Sequence, residues 1–297
     1  MRGARPALRL KAYVLAADPA WIEASVLSYY EYVAEIVVSY DESGRGWTGA
    51  PIDVATCLRR LREIDRAGKM RFCGGSFYRA ELGPMGCDTF QRSAAIAAVG
   101  ADADWVLQLD TDEVLPDPDA LLAVLRCADE MGAFAVDWPM RVLYQRLRDG
   151  RYLEVCDQDG SDRFEYPGSV AVRAGAVLDH SRFTKELTVR AVVRGDDRSL
   201  QLRAPAAPNE RRIEIDSAQM AIIHNSWARS EASIRSKIAS WSHNEGLKSR
   251  LYYHVRWRPT PYLWRWTRDF HPFARGLWPA LKPCASLPPE LLRIAQL

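Results

Sequence analysis

Short apolar runs alternate with amphipathic segments through the first third of the chain. "LRLKAYVLAA" (8–17) is rich in strand formers, and 21–33 spaces Trp21, Ala24, Val26, Leu27 and Tyr30 as a helix does. "EIVVSYD" (35–41) predicts a buried strand ending on an acid and a turn. A helix is predicted over 52–68, a weaker strand over 70–77 and a small-residue helix over 87–102. "WVLQLD" (105–110) is the fourth strand. Four such alternations predict an α/β fold, a mostly parallel, Rossmann-like sheet flanked by helices.

Beyond a helix at 118–132 the rhythm changes. The segments 133–144, 151–155, 169–175 and 220–227 are predicted strands between polar loops. A helix follows over 229–244, with Ile234, Ile238 and Trp241 on one face, and 251–283 is dense in aromatics and arginine. The expected organisation is a nucleotide-binding-type α/β half (1–132), a more β-rich half shaping a second pocket (133–245), and an aromatic extension (246–297).

Composition narrows the picture only slightly. A net charge of +2 gives no global reason for a nucleic-acid partner. Six cysteines without a C-x-x-C pair argue against a structural zinc or a disulfide framework and for reduced thiols. Arg2, Arg5, Arg9 and Lys11 precede an apolar run too short for a signal segment, and no later run is long enough to span a bilayer. The expectation is a cytoplasmic protein, peripheral at the inner membrane face at most.

The chemistry concentrates where strands end. In such sheets ligands sit beyond the carboxyl ends of the strands, and there "WVLQLDTDEVLP" (105–116) places Asp110, Asp112 and Glu113 within four positions. Oxygen ligands at a strand end suit Mg²⁺ or Mn²⁺ shared with substrate phosphates. The competing reading is a helix N-terminus that welcomes acids near Asp117. Asp41, at the second strand's end, could accept from a nucleobase or a ribose, or simply form an Asx turn with Glu42, Ser43 and Gly44. His224 could complete a metal shell, and Arg229 could neutralise leaving-group charge. Arg92 faces either phosphates or solvent.

The order strand–Asp41–helix–Arg92–strand–"DTDE" resembles the GT-A glycosyltransferases, in particular the family-2-like group. A weaker echo is "HNSWARS" with a later Lys, Trp and His across 224–243. The resemblance implies transfer of a sugar from a nucleotide-diphosphate donor of UDP or GDP type to an acceptor hydroxyl, with Mn²⁺ or Mg²⁺ and with inversion at the anomeric carbon. Carried over, Ala16, Ala17 and Asp41 hold the nucleobase, Asp110 the ribose and metal, Asp112 and His224 the metal, and Arg92 or Arg229 the pyrophosphate. The sequence lacks the family's "ED" pair and the QxxRW of processive members. The base that deprotonates the acceptor is therefore open among Glu186, Asp179 and Asp137, with Glu165 a further option. Trp138 and Trp227 either stack on sugars or fill the core.

Two other classes compete. "LDTDEVL" also fits the motif of haloacid-dehalogenase-like phosphatases, with Asp110 as nucleophile, Asp112 as general acid, and Lys185 and "GDD" (195–197) downstream. Three strand–helix units ahead of the motif count against that reading. A non-catalytic peripheral membrane or carbohydrate-binding protein is the other, resting on Arg256, Trp257, Arg258, Trp264, Arg265, Trp266 and Arg268. The prolines there favour a tail wrapping the core, with membrane contact the lesser reading.

Overall fold

The computed structural model describes residues 8–240, 247–285 and 287. Arg2, Arg5 and the end of the predicted 229–244 helix, Trp241 included, lie outside them. Strands β1 (Leu10–Leu15), β2 (Ile36–Asp41), β3 (Met70–Gly75) and β4 (Trp105–Leu107) alternate with helices α1 (Ile22–Leu27), α2 (Val54–Ile64) and α3 (Gly83–Val99). Then come β5 (Glu113–Val114), α4 (Pro118–Glu130), β6 (Ala135–Asp137), β7 (Met140–Arg146) and β8 (Tyr152–Cys156). They are followed by β9 (Ser169–Arg173), β10 (Thr188–Val193), β11 (Glu210–Ile215), β12 (Ile222–His224) and α5 (Glu231–Ser240). The chain closes with α6 (Leu247–Tyr252), a π turn (Tyr253–Trp257), α7 (Thr260–Leu263) and β13 (Ala280–Pro283).

Eight strands form the main sheet in the order β11-β10-β6-β9-β4-β1-β2-β3. All run parallel except β9, which is antiparallel to β4 and β6, so the sheet is mixed. Alternation along β1 and β2 feeds two cores. Val14 and Val38 pack with α1, α2 and α4 on one face, while Tyr13 and Val37 meet Ile96 and Val99 of α3 on the other. Helix ends follow local chemistry. Asp53 caps α2 by accepting from the Thr56 amide at 3.1 Å, and Asp117 caps α4 through the Ala120 amide at 2.9 Å. Since Asp117 does the capping, the three acids before it are left for another purpose. α3 starts four residues earlier than predicted because Pro84 suits a first helical turn.

The expected strand 133–144 is two strands in two sheets. It breaks at Trp138–Pro139, where proline supplies no amide to a ladder. β6 stays in the main sheet, and β7 enters a second, five-stranded sheet ordered β13-β8-β7-β12-β5. β10 and β11, which were not foreseen, extend the main sheet. One face of the small sheet, with Val142, Tyr144, Leu153 and Val155, packs against α5 and the C-terminal arm through Ile234, Tyr252, Trp257, Phe270 and Trp278. All six cysteines are free thiols.

Trp138 is fully buried at the crossing between the sheets, and its indole donates to the Met220 carbonyl at 2.9 Å. It is a core residue and presents no surface to a sugar. Trp138→Ala should lower the unfolding free energy by about 3–5 kcal/mol in urea denaturation. A loss below about 1 kcal/mol would mean that the junction does not depend on it.

Candidate functional site

The acidic motif is a turn between the two sheets. It leaves β4 and closes with the Glu113 amide donating to the Asp110 carbonyl at 3.0 Å. The Glu113 carboxylate folds back and accepts from the Asp110 amide at 3.1 Å. β5 then pairs antiparallel with β12, Glu113 opposite His224, and the Asn225 amide donates to the Asp112 carbonyl at 2.8 Å. Strand pairing is what carries His224 to the acidic turn across more than a hundred residues.

The three carboxylates avoid one another by pointing to different cations. Glu113 lies completely buried beneath the turn, where Arg182 Nη1 donates to it at 2.8 Å and Nη2 to its other oxygen. Asp110 accepts from Arg92 Nη2 at 2.9 and 3.1 Å. Arg92 is itself buried and held by Asp88 at 2.6 Å, an i,i+4 pair on α3. Asp112 contacts Arg229, which also contacts Asp18, and its Oδ2 lies 3.7 Å from both His224 Nε2 and Lys237 Nζ. Burial would raise the Asp112 pKa, yet the charges of His224 and Lys237 hold it down at about 2. Asp110 is lowered too, with Arg92 and Arg182 overriding its burial. Asp112 in turn raises His224 against the effect of burial. The surplus of negative charge in the sequence is thus met by the chain's own cations.

Arg182 reaches its place through a constrained loop. Ser181, immediately before it, has φ of 51°, and its amide and hydroxyl are tied to Thr89 and Asp88 at 2.7 and 2.6 Å. Gly168 lets the side chain pass: a Cβ there would stand 2.9 Å from Arg182 Cγ, and its φ is 130°. Gln108, buried within β4's continuation, accepts from the Tyr13 hydroxyl and donates to the Ser169 and Arg182 carbonyls at 2.6 and 3.1 Å.

These groups border a cleft of about 920 Å³ at the carboxyl edge of β1 and β4. Ala16, Ala17, Arg92, Asp110, Asp112, His224 and Arg229 all line it, so most of the sequence-derived donor-side set converges. Asp41 does not line it. It sits 3 % exposed beneath, accepting from the Ser43 amide and hydroxyl, the Arg45 amide and the Phe77 amide at 2.5–3.2 Å. Despite the opposing effect of burial, the Ser43 hydroxyl and those amides lower its pKa. The Asx-turn alternative describes its contacts, and its effect on the cleft runs through the loop it shapes, where Arg45 and Trp47 face the cavity.

The acceptor-side candidates separate. Asp137 is buried within the main sheet, at the end of β6, with Arg190 at 2.9 Å and Ser169 at 2.8 Å; Asp179 is exposed and paired with Lys185; Glu186 is exposed. None of the three borders the cleft, and Lys185 and Asp196, which a phosphatase would need near Asp110, do not border it either. Glu165 does. Among the described residues it makes no ion pair, the Trp278 indole donates to it, and burial raises its pKa against the pull of His224 and Arg163. Its backbone is fixed by reciprocal hydrogen bonds with Met140 at 2.8 and 2.9 Å. Arg182 and Lys237 also line the cleft and were given no site role; Lys237 is the later Lys of the 224–243 echo, and Gln108, a polar residue inside an apolar run, was the sequence signal of the buried network that holds Arg182.

Among the described residues no three His, Cys, Asp or Glu side chains are arranged to hold a metal ion. Asp112 Oδ2 and His224 Nε2, 3.7 Å apart, form a two-donor edge, where a divalent cation would need most of its shell from water and phosphate oxygens and would displace the Arg229 and Lys237 contacts. His224 Nδ1 is buried with no hydrogen-bond partner among the described residues.

No family model and no curated protein sequence matches the chain. Among solved structures, a 4-diphosphocytidyl-2C-methyl-D-erythritol synthase from Anaerococcus prevotii is similar at 13 % identity and a TM-score of 0.35, over 57 % of this chain and 71 % of that one. A mannose-6-phosphate isomerase from Helicobacter pylori gives 15 %, 0.32, 57 % and 72 %. Likeness this slight carries no argument about activity.

Glu113→Ala leaves Arg182 buried beside an empty space and should cost about 3–5 kcal/mol in chemical denaturation. Glu113→Gln, which keeps an acceptor, should cost less. Equal and small losses in both would remove the pair from its supporting role.

Proposed function

We propose that the chain is a glycosyltransferase that takes a nucleotide-diphosphate sugar and passes the sugar to an acceptor hydroxyl with inversion. The observation that carries this reading is the cleft-facing pair Asp110 and Asp112, held apart on a turn at the carboxyl edge of the sheet with Arg229, Lys237 and His224 opposite. The nucleoside would lie along Ala16, Ala17 and the Arg45–Trp47 loop, with Asp110 toward the ribose. The diphosphate would meet Arg229 and Lys237, whose charge offsets what develops on the leaving group. Asp112 and His224 are the residues that would hold Mn²⁺ or Mg²⁺; bound with the diphosphate, the ion would neutralise part of its charge.

Glu165 is the proposed general base. It borders the cleft without a cation of its own, and a raised pKa brings a carboxylate nearer to the strength that proton abstraction requires. In this role it accepts the acceptor's proton as the hydroxyl oxygen bonds to the anomeric carbon and the diphosphate leaves. This places the base outside Glu186, Asp179 and Asp137, none of which faces the cavity.

Nucleoside diphosphate release from a panel of nucleotide sugars, with and without Mn²⁺, tests the class. At least one donor should turn over, and Asp112→Asn should lose that turnover. Glu165→Gln should reduce kcat by about 10²-fold or more while leaving nucleotide affinity nearly unchanged. Because the base works deprotonated and its pKa is raised, wild-type kcat/KM should fall on the acid side at a pH above the ordinary glutamate value. No release from any donor would overturn the class; a Glu165→Gln enzyme within twofold of wild type would overturn the base.

A further inference from the structure

The C-terminal arm presents two unlike faces. Between 247 and 258 the residues Ser249, Tyr252, Tyr253 and Trp257 are buried, a helical spacing, and the last three of these belong to the apolar core under the small sheet. The opposite side carries Leu247, Leu251 and Val255 at intervals of four, 81 %, 64 % and 59 % exposed. Tyr262, Leu263 and Trp266 continue the exposed apolar surface, Trp266 at 74 %. Arg256 donates to the Arg268 carbonyl at 3.2 Å and ties the π turn to the segment after α7. Arg148, from the β7–β8 loop, stacks over Tyr262 at 5.4 Å.

Single exposed apolar residues are ordinary, but the arm exposes six within twenty positions. Its charge is one-sided. From Leu247 to Arg268 the sequence holds Lys248, Arg250, Arg256, Arg258, Arg265 and Arg268, and neither Asp nor Glu. Tyr262 and Trp266 could stack on nucleic-acid bases, but Leu247, Leu251, Val255 and Leu263 offer bases nothing, and this aliphatic share of the surface favours lipid. It suits the acyl boundary of a lipid layer, with Tyr and Trp at headgroup depth and the cations against anionic lipid. No described helix is long and apolar enough to cross a membrane, so the segment would lie on the surface.

We propose that the arm from Leu247 to Arg268 docks the protein on an anionic bilayer surface. The inference stands apart from the proposed catalysis, because docking needs no nucleotide. The wrapping role expected for the extension is filled by its buried face, and the exposed face is the one that meets lipid.

Flotation of the full chain tests it, using vesicles of phosphatidylcholine alone and of phosphatidylcholine with phosphatidylglycerol. The protein should float with the mixed vesicles, much less with the neutral ones, and less as salt rises. The double variant L251E/W266E should bind the mixed vesicles about tenfold more weakly or worse, since each change removes apolar contact and adds repulsion. Both positions are exposed, and an unchanged melting temperature confirms that the variant is folded. Absent flotation of wild type, equal flotation with both vesicle types, or a folded variant that binds as wild type would each overturn the proposal.

Discussion

The buried pair between Glu113 and Arg182 is the contact on which the site depends. A carboxylate with no exposure, next to Asp112 and three residues from Asp110 in the chain, is strongly unfavourable unless a cation and hydrogen bonds meet it. Arg182 supplies two donors and the Asp110 amide a third. With Glu113 turned under, Asp110 and Asp112 are left facing the cleft, and the start of β5 is fixed for pairing with β12. The cost appears in the loop that delivers Arg182, where Ser181 adopts a left-handed conformation and Gly168 leaves room.

The two sheets divide the labour. The main sheet offers a strand edge with backbone and small residues at Ala16 and Ala17, a surface that flat groups can approach. The small sheet brings His224, Arg229 and Lys237 from late in the chain to the same turn. The crossing at Trp138–Pro139 hands the chain from one sheet to the other, and Glu165 lies where its backbone rejoins β7 at Met140. A cleft built this way carries carboxylates and cations in near balance.

The first half of the fold was legible because strands covered on both faces read as unbroken apolar runs and the helices between them have a clear period. The second half was less so. β10, "TVRAVV", and β11, "ERRIEI", carry charges that pair laterally in the sheet, Arg190 with Asp137 and Glu210, which blurs the apolar signal. Asp110, Asp112 and His224 were singled out in the sequence because motif and strand end coincide, and the three line one cleft. Arg182 could not be, since it reaches Glu113 from a loop 69 positions away that spacing does not encode, and Lys237 appeared only as the later Lys of the 224–243 echo, with no role given to it. Asp41 was left open between a ligand and an Asx turn. An acid at a strand end fits either role by sequence, and the Ser43 hydroxyl and three surrounding amides engage both of its oxygens.

Hydrogen–deuterium exchange of the full chain with and without nucleoside diphosphates, each tested with Mn²⁺, examines the cleft most directly. The expected result is protection by at least one nucleotide at the Asp110–Glu113 turn, at Ser181–Arg182 and across His224–Lys237, with β10 and β11 unchanged. Protection confined to other surfaces, or none with any nucleotide, would contradict the assignment of this cleft as the donor site.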